Sequence, residues 1–468
     1  MNLPSTRIKN HSLKIPFRLN ILFLFSLNLM ARIPFLFAGY GREEDAWGQA
    51  LTAKNTWESG IYEVSRLPGH PLYEILLALL WPINHSYFTF NLLSALASSL
   101  AVVFFYLILK EWNKTHSLIL ALSFGFIPVF FIAGLYTIDY NFACLFILIS
   151  LHQLQKRNLI WAGILLGIAT GFRISSIAFV LPWIILAPGK KDLHLFLKLI
   201  ISSGLMAIVS FSAPIYSYGL EVLDFHKPPY SSWAKIAFKL SFGIWGLLLF
   251  SFLSFGFIKF ISSRSWKNTS GKKFNLTLII IIVFQLLVFF RLPFKSEFLI
   301  PALPFILIWI GDSFSEKWLK ALPYISICSC FLVGFDYKNE FRGSPASSAS
   351  IEFSAGAKDI FIDPLQGPTI VDFQKRKVKM KFVSEILKWS ESKKEPSWVI
   401  SGWYWPQIEL RKKENSRVKF DYYSSEEELL NAKSAGRNIF YLPEINEANS
   451  KIQGHNLADS LGTILIPE

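Results

Sequence analysis

Apolar runs approaching the roughly 20 residues one helix needs to cross a bilayer recur along the chain from Leu19 to about Asp336. They predict about eleven spans, at approximately 19–39, 86–109, 116–134, 140–154, 159–172, 174–188, 195–219, 237–258, 274–290, 297–312 and 321–337. Gly163, Gly167 and Gly171, followed by Arg173, divide the apolar stretch from 159 to 188 into an apparent helical hairpin. From Lys338 to Glu468 long apolar runs cease, which places a domain boundary near 337/338. Within this last part Trp398–Ser401, Val418–Tyr423 and Asn438–Leu442 read as strands, and Ser425–Ala435 as a helix opened by a Ser425/Glu428 capping box. The expected fold is thus an α-helical polytopic membrane protein (residues 1–337) carrying a small C-terminal α/β domain (338–468).

The loop between the first two predicted spans, 40–86, has structure of its own. Glu44 to Ser59 alternates Trp47, Ala50, Leu51 and Trp57 with polar positions at helical spacing, which predicts an interfacial helix with both tryptophans in the headgroup layer and Gly60 as its stop. Pro71–Ile83 is apolar but too short to span, so it is expected to lie on the surface.

Composition agrees with a membrane class: of 468 residues 52% are hydrophobic and 17% charged. The net charge of +14 does not indicate a nucleic-acid partner, because the basic residues sit in short loops between apolar runs. They collect on one side, as at Arg18, Lys110, Lys114, Lys156, Lys190 and Arg264, and are sparser on the other, as at Arg42, Arg66 and Lys227. Positive charge is retained inside, so the N-terminus is expected in the cytoplasm and the C-terminal domain outside the cell (inner) membrane. The first apolar run is long for a signal peptide and lacks a small-x-small cleavage site, as expected of a signal anchor. Cys144, Cys328 and Cys330 all fall in apolar segments, leaving the soluble domain without a disulfide or thiolate cluster.

Three carboxylates, Glu43, Glu44 and Asp45, open the first outer loop. Beside a membrane surface, partial desolvation raises a carboxyl pKa toward a range useful for taking a proton from an acceptor hydroxyl, and Asp45 is the candidate base. The rival reading is three acids favoured at a helix start by its dipole. Further along, Ser65 to Glu74 combines Arg66 and His70 with a Pro-Gly turn, a shape suited to presenting a forked cation to a phosphate. Arg173 within apolar sequence reads either as functional or as snorkelling from a helix end. Asp139, in the turn Tyr136–Asn141, either lines the same cavity or caps the next helix. Arg291 and Lys295 supply two more outer cations, and Glu297 is expected to pair with one of them at the surface. No two histidines share a ligand spacing and no Gly-x-Gly-x-x-Gly or Walker loop is present, so no metal or nucleotide cofactor is required. Asp and Glu ligands for a divalent metal stay open.

This layout resembles the GT-C superfamily of polytopic glycosyltransferases, which includes protein O-mannosyltransferases and the aminoarabinose transferases acting on lipid A. The resemblance rests on the acidic opening at Glu44 and Asp45, the Pro-rich turn into a surface helix, the run Gly171–Ser176, and Arg291–Pro301. It covers the membrane part, about 19–337. It implies a polyprenyl-phosphate sugar donor and a lipid, glycan or protein acceptor. Asp45 or Glu44 would activate the acceptor hydroxyl, and the polyprenyl phosphate would depart with inversion toward Arg66, Arg173, Arg291 and Lys295. Well-known members have Asp-Glu where this chain has Glu-Glu-Asp, which leaves the choice among the three acids open. The C-terminal domain varies within the superfamily and names no substrate. The alternative class is a secondary transporter or flippase of a lipid-linked or small polar substrate, which would instead show internal repeats and charges within spans.

Overall fold

The computed structural model describes residues 17–187, 193–223, 230–262, 272–337, 347–355, 358–413, 417–442 and 455–456. Several loop cations used above for orientation, among them Lys190, Lys227 and Arg264, lie outside them. The chain is mostly helical. Four described helices are long and apolar enough to cross a membrane: Phe17–Phe35, Tyr87–Glu111, Phe242–Ser262 and Ser296–Ser313. The pair Phe196–Ser210 and Ser212–Val222, bent by 46°, makes a fifth if counted as one span.

That is fewer than the eleven expected: several expected spans, such as 140–154, 159–172 and 274–290, are helices of shorter length, and three others are interrupted for local reasons. The run 116–134 breaks into Ser117–Gly125 and Pro128–Ala133, because Ile127 precedes a proline and adopts an extended conformation. The run 174–188 starts as a 3₁₀ turn, Ile174–Phe179, before a short helix. The run 321–337 is a helix only to Phe331; it then becomes a strand.

The stretch 159–188 divides at Arg173 as expected, where the backbone is extended; Gly163, Gly167 and Gly171 are not themselves the break but lie within one helix, Leu159–Phe172, packed closely on Leu193–Ser210. A Cβ at Gly163 would sit 2.6 Å from the Leu199 carbonyl, and one at Gly167 2.8 Å from that of Ser203. Small residues every fourth position let two backbones approach, as in membrane helix pairs.

Strand β1, Gly334–Tyr337, starts the second part just before the expected boundary. It joins β2 (Ile351–Ala355) and β3 (Lys358–Asp363) in an antiparallel sheet of order β1-β3-β2. A second sheet follows, with β4 (Ser397–Ile400), β5 (Val418–Asp421), β6 (Asn438–Tyr441) and β7 (His455–Asn456) in the parallel order β5-β4-β6-β7. Central β4 is buried at every position, as a parallel strand covered on both faces must be. The helix Pro368–Ser392 packs Phe382, Val383 and Ile386 against Val399 and Phe420 on one face. On the other, Leu429 and Ala432 of the capped helix Glu426–Ser434 meet Trp398 and Ile400.

The two parts are tied together by a buried polar network. Tyr136 donates to Asp372, Arg376 Nε donates to Asp372 at 3.0 Å, and Arg376 Nη2 donates to the Phe35 carbonyl at 3.0 Å. The C-terminal part is thereby held against the end of the helical part that carries the first loop.

Gly163→Val is expected to destabilise the protein by about 1–3 kcal/mol through overpacking. Gly204→Val on the partner helix, where a Cβ meets nothing within 4 Å, is the control. Thermal unfolding in detergent checks this, with a lower Tm for the first variant and little change for the second.

Candidate active site

The helix Glu44–Ser59 forms where the sequence places it and ends at Gly60, whose φ of 69° is the left-handed stop. Its environment differs from the expectation. Trp47 is buried and donates its indole N–H to the Gly41 carbonyl at 2.9 Å, and Ala46, Ala50 and Ala53 join the main core; only Trp57 stays exposed. The apolar positions are small, so this face packs into protein and not into headgroups. Glu43 directly precedes the helix, and Glu44 and Asp45 lie in its first turn.

The turn that follows is shaped by Glu74, a buried carboxylate on the helix Pro71–Leu80 that sequence reasoning did not single out. It accepts from Tyr62 Oη, from Ser65 N at 2.9 Å and Oγ at 2.5 Å, and from His70 N at 3.1 Å. A buried carboxylate requires such donors, and meeting that requirement folds the turn over it and presents Arg66 and His70 to the site.

Asp45 accepts from Arg66 at 2.9 Å and from Lys295 at 2.6 Å, while Lys295 also donates to Glu43. Lys295 therefore pairs with the first loop, and the surface pairing with Glu297 expected from sequence gives way to these contacts. Burial favours neutral carboxyls, but Lys295 holds Glu43, and Lys295 and Arg66 hold Asp45, below the usual carboxylate range. Glu44 behaves oppositely. Burial and the adjacent Asp45 charge raise its pKa to about 7. Tyr422 Oη, from just beyond β5, lies 3.4 Å from Glu44 Oε2.

Asp139 precedes the helix Tyr140–Gln155 but does not cap it. Its carboxylate is buried and accepts from Arg173 at 2.8 Å and from Gln49 at 3.3 Å. Arg173 does not snorkel. Its guanidinium is mostly buried, 4.0 Å from the Tyr140 ring centroid. His70 Nδ1 lies 3.0 Å from the Phe172 carbonyl, which can only accept, so that nitrogen carries a proton.

Arg66, His70, Arg173, Arg291 and Lys295 all line one cavity of about 590 Å³. Its remaining wall is apolar and includes Ile177, Phe284, Leu287 and Val288. On the other side of Lys295 a smaller cavity of about 360 Å³ is lined by Glu43, Glu297, Lys239 and, from the C-terminal part, Asp372. The structure thus gathers all nine residues singled out from the sequence, the three acids and Asp139 interleaved with the cations. No cluster of three or more His, Cys, Asp or Glu side chains suited to a metal ion occurs among the described residues.

No protein-family model matches the sequence, and no curated protein does. Among solved structures, the chain is similar to the crystal structure of ArnT from Cupriavidus metallidurans bound to undecaprenyl phosphate, at 13% identity and a TM-score of 0.47. The match covers 66% of this chain and 62% of that one.

Asp45→Asn is expected to lower the Glu44 midpoint from about 7, because it removes the charge that, after burial, raises it most. Infrared titration of the protonated carboxyl band, with Glu44→Gln to assign it, checks this; an unchanged midpoint means the two carboxyls do not sense each other.

Proposed function

We propose that the chain is an integral membrane glycosyltransferase that moves a sugar from a polyprenyl-phosphate carrier to an acceptor hydroxyl at the extracytoplasmic face. One observation carries the reading. A cavity lined by four permanent or near-permanent cations and an apolar wall adjoins a carboxylate poised near neutrality. A lipid phosphate has this same division into a charged head and an apolar tail.

Glu44 fits the base better than Asp45 does. A general base works best with a pKa near the operating pH, and Asp45 is already committed to Arg66 and Lys295. In the proposed step Glu44 takes the proton of the acceptor hydroxyl and the acceptor oxygen bonds to the anomeric carbon from the face opposite the phosphate. The bond from that carbon to the phosphate oxygen breaks, and its electron pair leaves with the polyprenyl phosphate. The configuration inverts. The departing phosphate gains negative charge, which Arg66, Arg173, Arg291 and Lys295 stabilise in a partly desolvated setting. Asp45 and Asp139 keep Arg66, Lys295 and Arg173 aimed by pairing with them. The finer topology belongs to this reading: the end bearing the site faces outward, the N-terminus is cytoplasmic, and the shorter apolar helices complete the bundle of spans.

Purified protein in lipid vesicles, given labelled polyprenyl-phosphate sugars and a cell-envelope acceptor extract, tests this. Glu44→Gln is expected to lower transfer by about 10²–10⁴-fold while binding of the donor persists. Arg66→Ala is expected to weaken donor binding. Wild-type transfer should rise with pH through about 7, because Glu44 is protonated and unable to accept a proton below that value. Transfer by Glu44→Gln at the wild-type rate, or a pH profile flat through neutrality, contradicts the assignment.

A further inference from the structure

The C-terminal part turns one edge of its parallel sheet toward the acidic triad. The chain leaves β4 through Ser401 and Gly402 to Trp403, and leaves β5 through Tyr422 and Tyr423. These two exits are zipped together: Ser401 N donates to the Asp421 carbonyl at 2.8 Å and Gly402 N to that of Tyr422 at 3.0 Å. In open parallel sheets the carboxyl ends of the strands form the crevice where small molecules bind. Here that edge carries three aromatic side chains that do not retreat into the core: Trp403 is 62% exposed, Tyr422 42% and Tyr423 66%.

Their exposure is not that of a loose loop. The backbone bond from Gly402 to Tyr422 sets Trp403 beside this tyrosine, whose hydroxyl donates to Glu44 at 3.4 Å. The paired strand exits therefore carry the aromatic residues, and through Tyr422 they reach the carboxylate at the mouth of the site. Large rings left open to solvent cost free energy unless something covers them. None of the three rings lines the apolar cavity assigned to the donor.

We propose that Trp403, Tyr422 and Tyr423 form a saccharide-binding platform of the C-terminal part, which holds a sugar ring of the acceptor with its hydroxyl at Glu44. The proposal rests on the transferase reading above and narrows its acceptor to a carbohydrate. A sugar ring has a C–H face that covers an aromatic ring and a rim of hydroxyls that needs polar partners. An indole and phenols carrying N–H and O–H handles beside a carboxylate supply both. A purely apolar partner would leave the Tyr422 hydroxyl and Glu44 unanswered. Trp403 and Tyr423 act here as binding residues, and Tyr422 also positions Glu44.

The test uses the full chain in detergent on an array of immobilised neutral and acidic oligosaccharides, with undecaprenyl phosphate binding measured in parallel. Wild type is expected to bind a subset of the saccharides. Trp403→Ala is expected to weaken that binding about tenfold, the usual scale for an aromatic anchor, and Trp403→Phe, which keeps a stacking face, to retain most of it. Undecaprenyl phosphate binding should stay within about twofold for both variants. A Trp403→Ala protein that has lost undecaprenyl phosphate binding is globally damaged, and Trp403→Phe and Tyr423→Ala then decide. Wild type that binds undecaprenyl phosphate but no saccharide, or saccharide binding unaffected by these substitutions, overturns the platform and leaves the transferase reading standing. Wild type that binds neither overturns both. Quenching of the Trp403 fluorescence, taken as wild type minus Trp403→Phe, by brominated lipid but not by saccharide makes these rings a headgroup anchor and also overturns the proposal.

Discussion

Lys295 sits between Glu43 and Asp45, with Arg66 against the other side of Asp45, and the rest of the site depends on this alternation of charge. None of these groups tolerates partial burial alone. Removing one partner leaves a partly buried charge uncompensated, a cost that solvent screening reduces where Arg66 and Glu43 reach the surface. The loop after the first span, the Arg66 turn and the segment entering Ser296–Ser313 are therefore held to one another by electrostatic necessity. The same pairing separates two carboxylates that are neighbours in sequence: Asp45 is held ionised by two cations, and Glu44, beside that fixed negative charge, is pushed toward neutrality.

Much of the local structure was legible from residues. The helix Glu44–Ser59 follows from its periodicity and from Gly60, and the capped helix near Ser425 from the Ser425/Glu428 spacing. The strands around Trp398, Val418 and Asn438 lie within a residue or two of their sequence bounds. What was misread was the surroundings of these elements. Trp47 has the side chain of an interfacial anchor, yet its neighbours on the helix are alanines, and small residues invite protein packing. The glycines at 163, 167 and 171 read, with Arg173, as the division of a hairpin; the break falls at Arg173, while the glycines lie inside the helix and make room for a second one.

The site shows the same division. Each charged residue stood out by itself, as a carboxylate cluster, a Pro-Gly turn or an arginine within apolar sequence. Which of the three loop carboxylates keeps a proton near neutral pH could not be read, because it depends on burial in the folded site and on Lys295, some 250 residues away, pairing with the other two. Glu74 and Tyr422 were missed for a related reason. Glu74 looks like an ordinary helix residue until the donors of Tyr62, Ser65 and His70 fold over it, and Tyr422 looks like the end of a strand in a separate part. The Tyr136–Asp372–Arg376 network, together with the packing of Trp405–Glu409 on Glu44–Ser59, brings that strand end to Glu44.

The account turns on a phosphate entering where Arg66, Arg173, Arg291 and Lys295 meet. An experimental structure of the protein with a polyprenyl monophosphate bound addresses this directly. The phosphate oxygens are expected within hydrogen-bonding distance of at least two of those four side chains, with the first isoprene units along Phe284, Leu287 and Val288. A headgroup bound elsewhere, with that cavity empty, would contradict it.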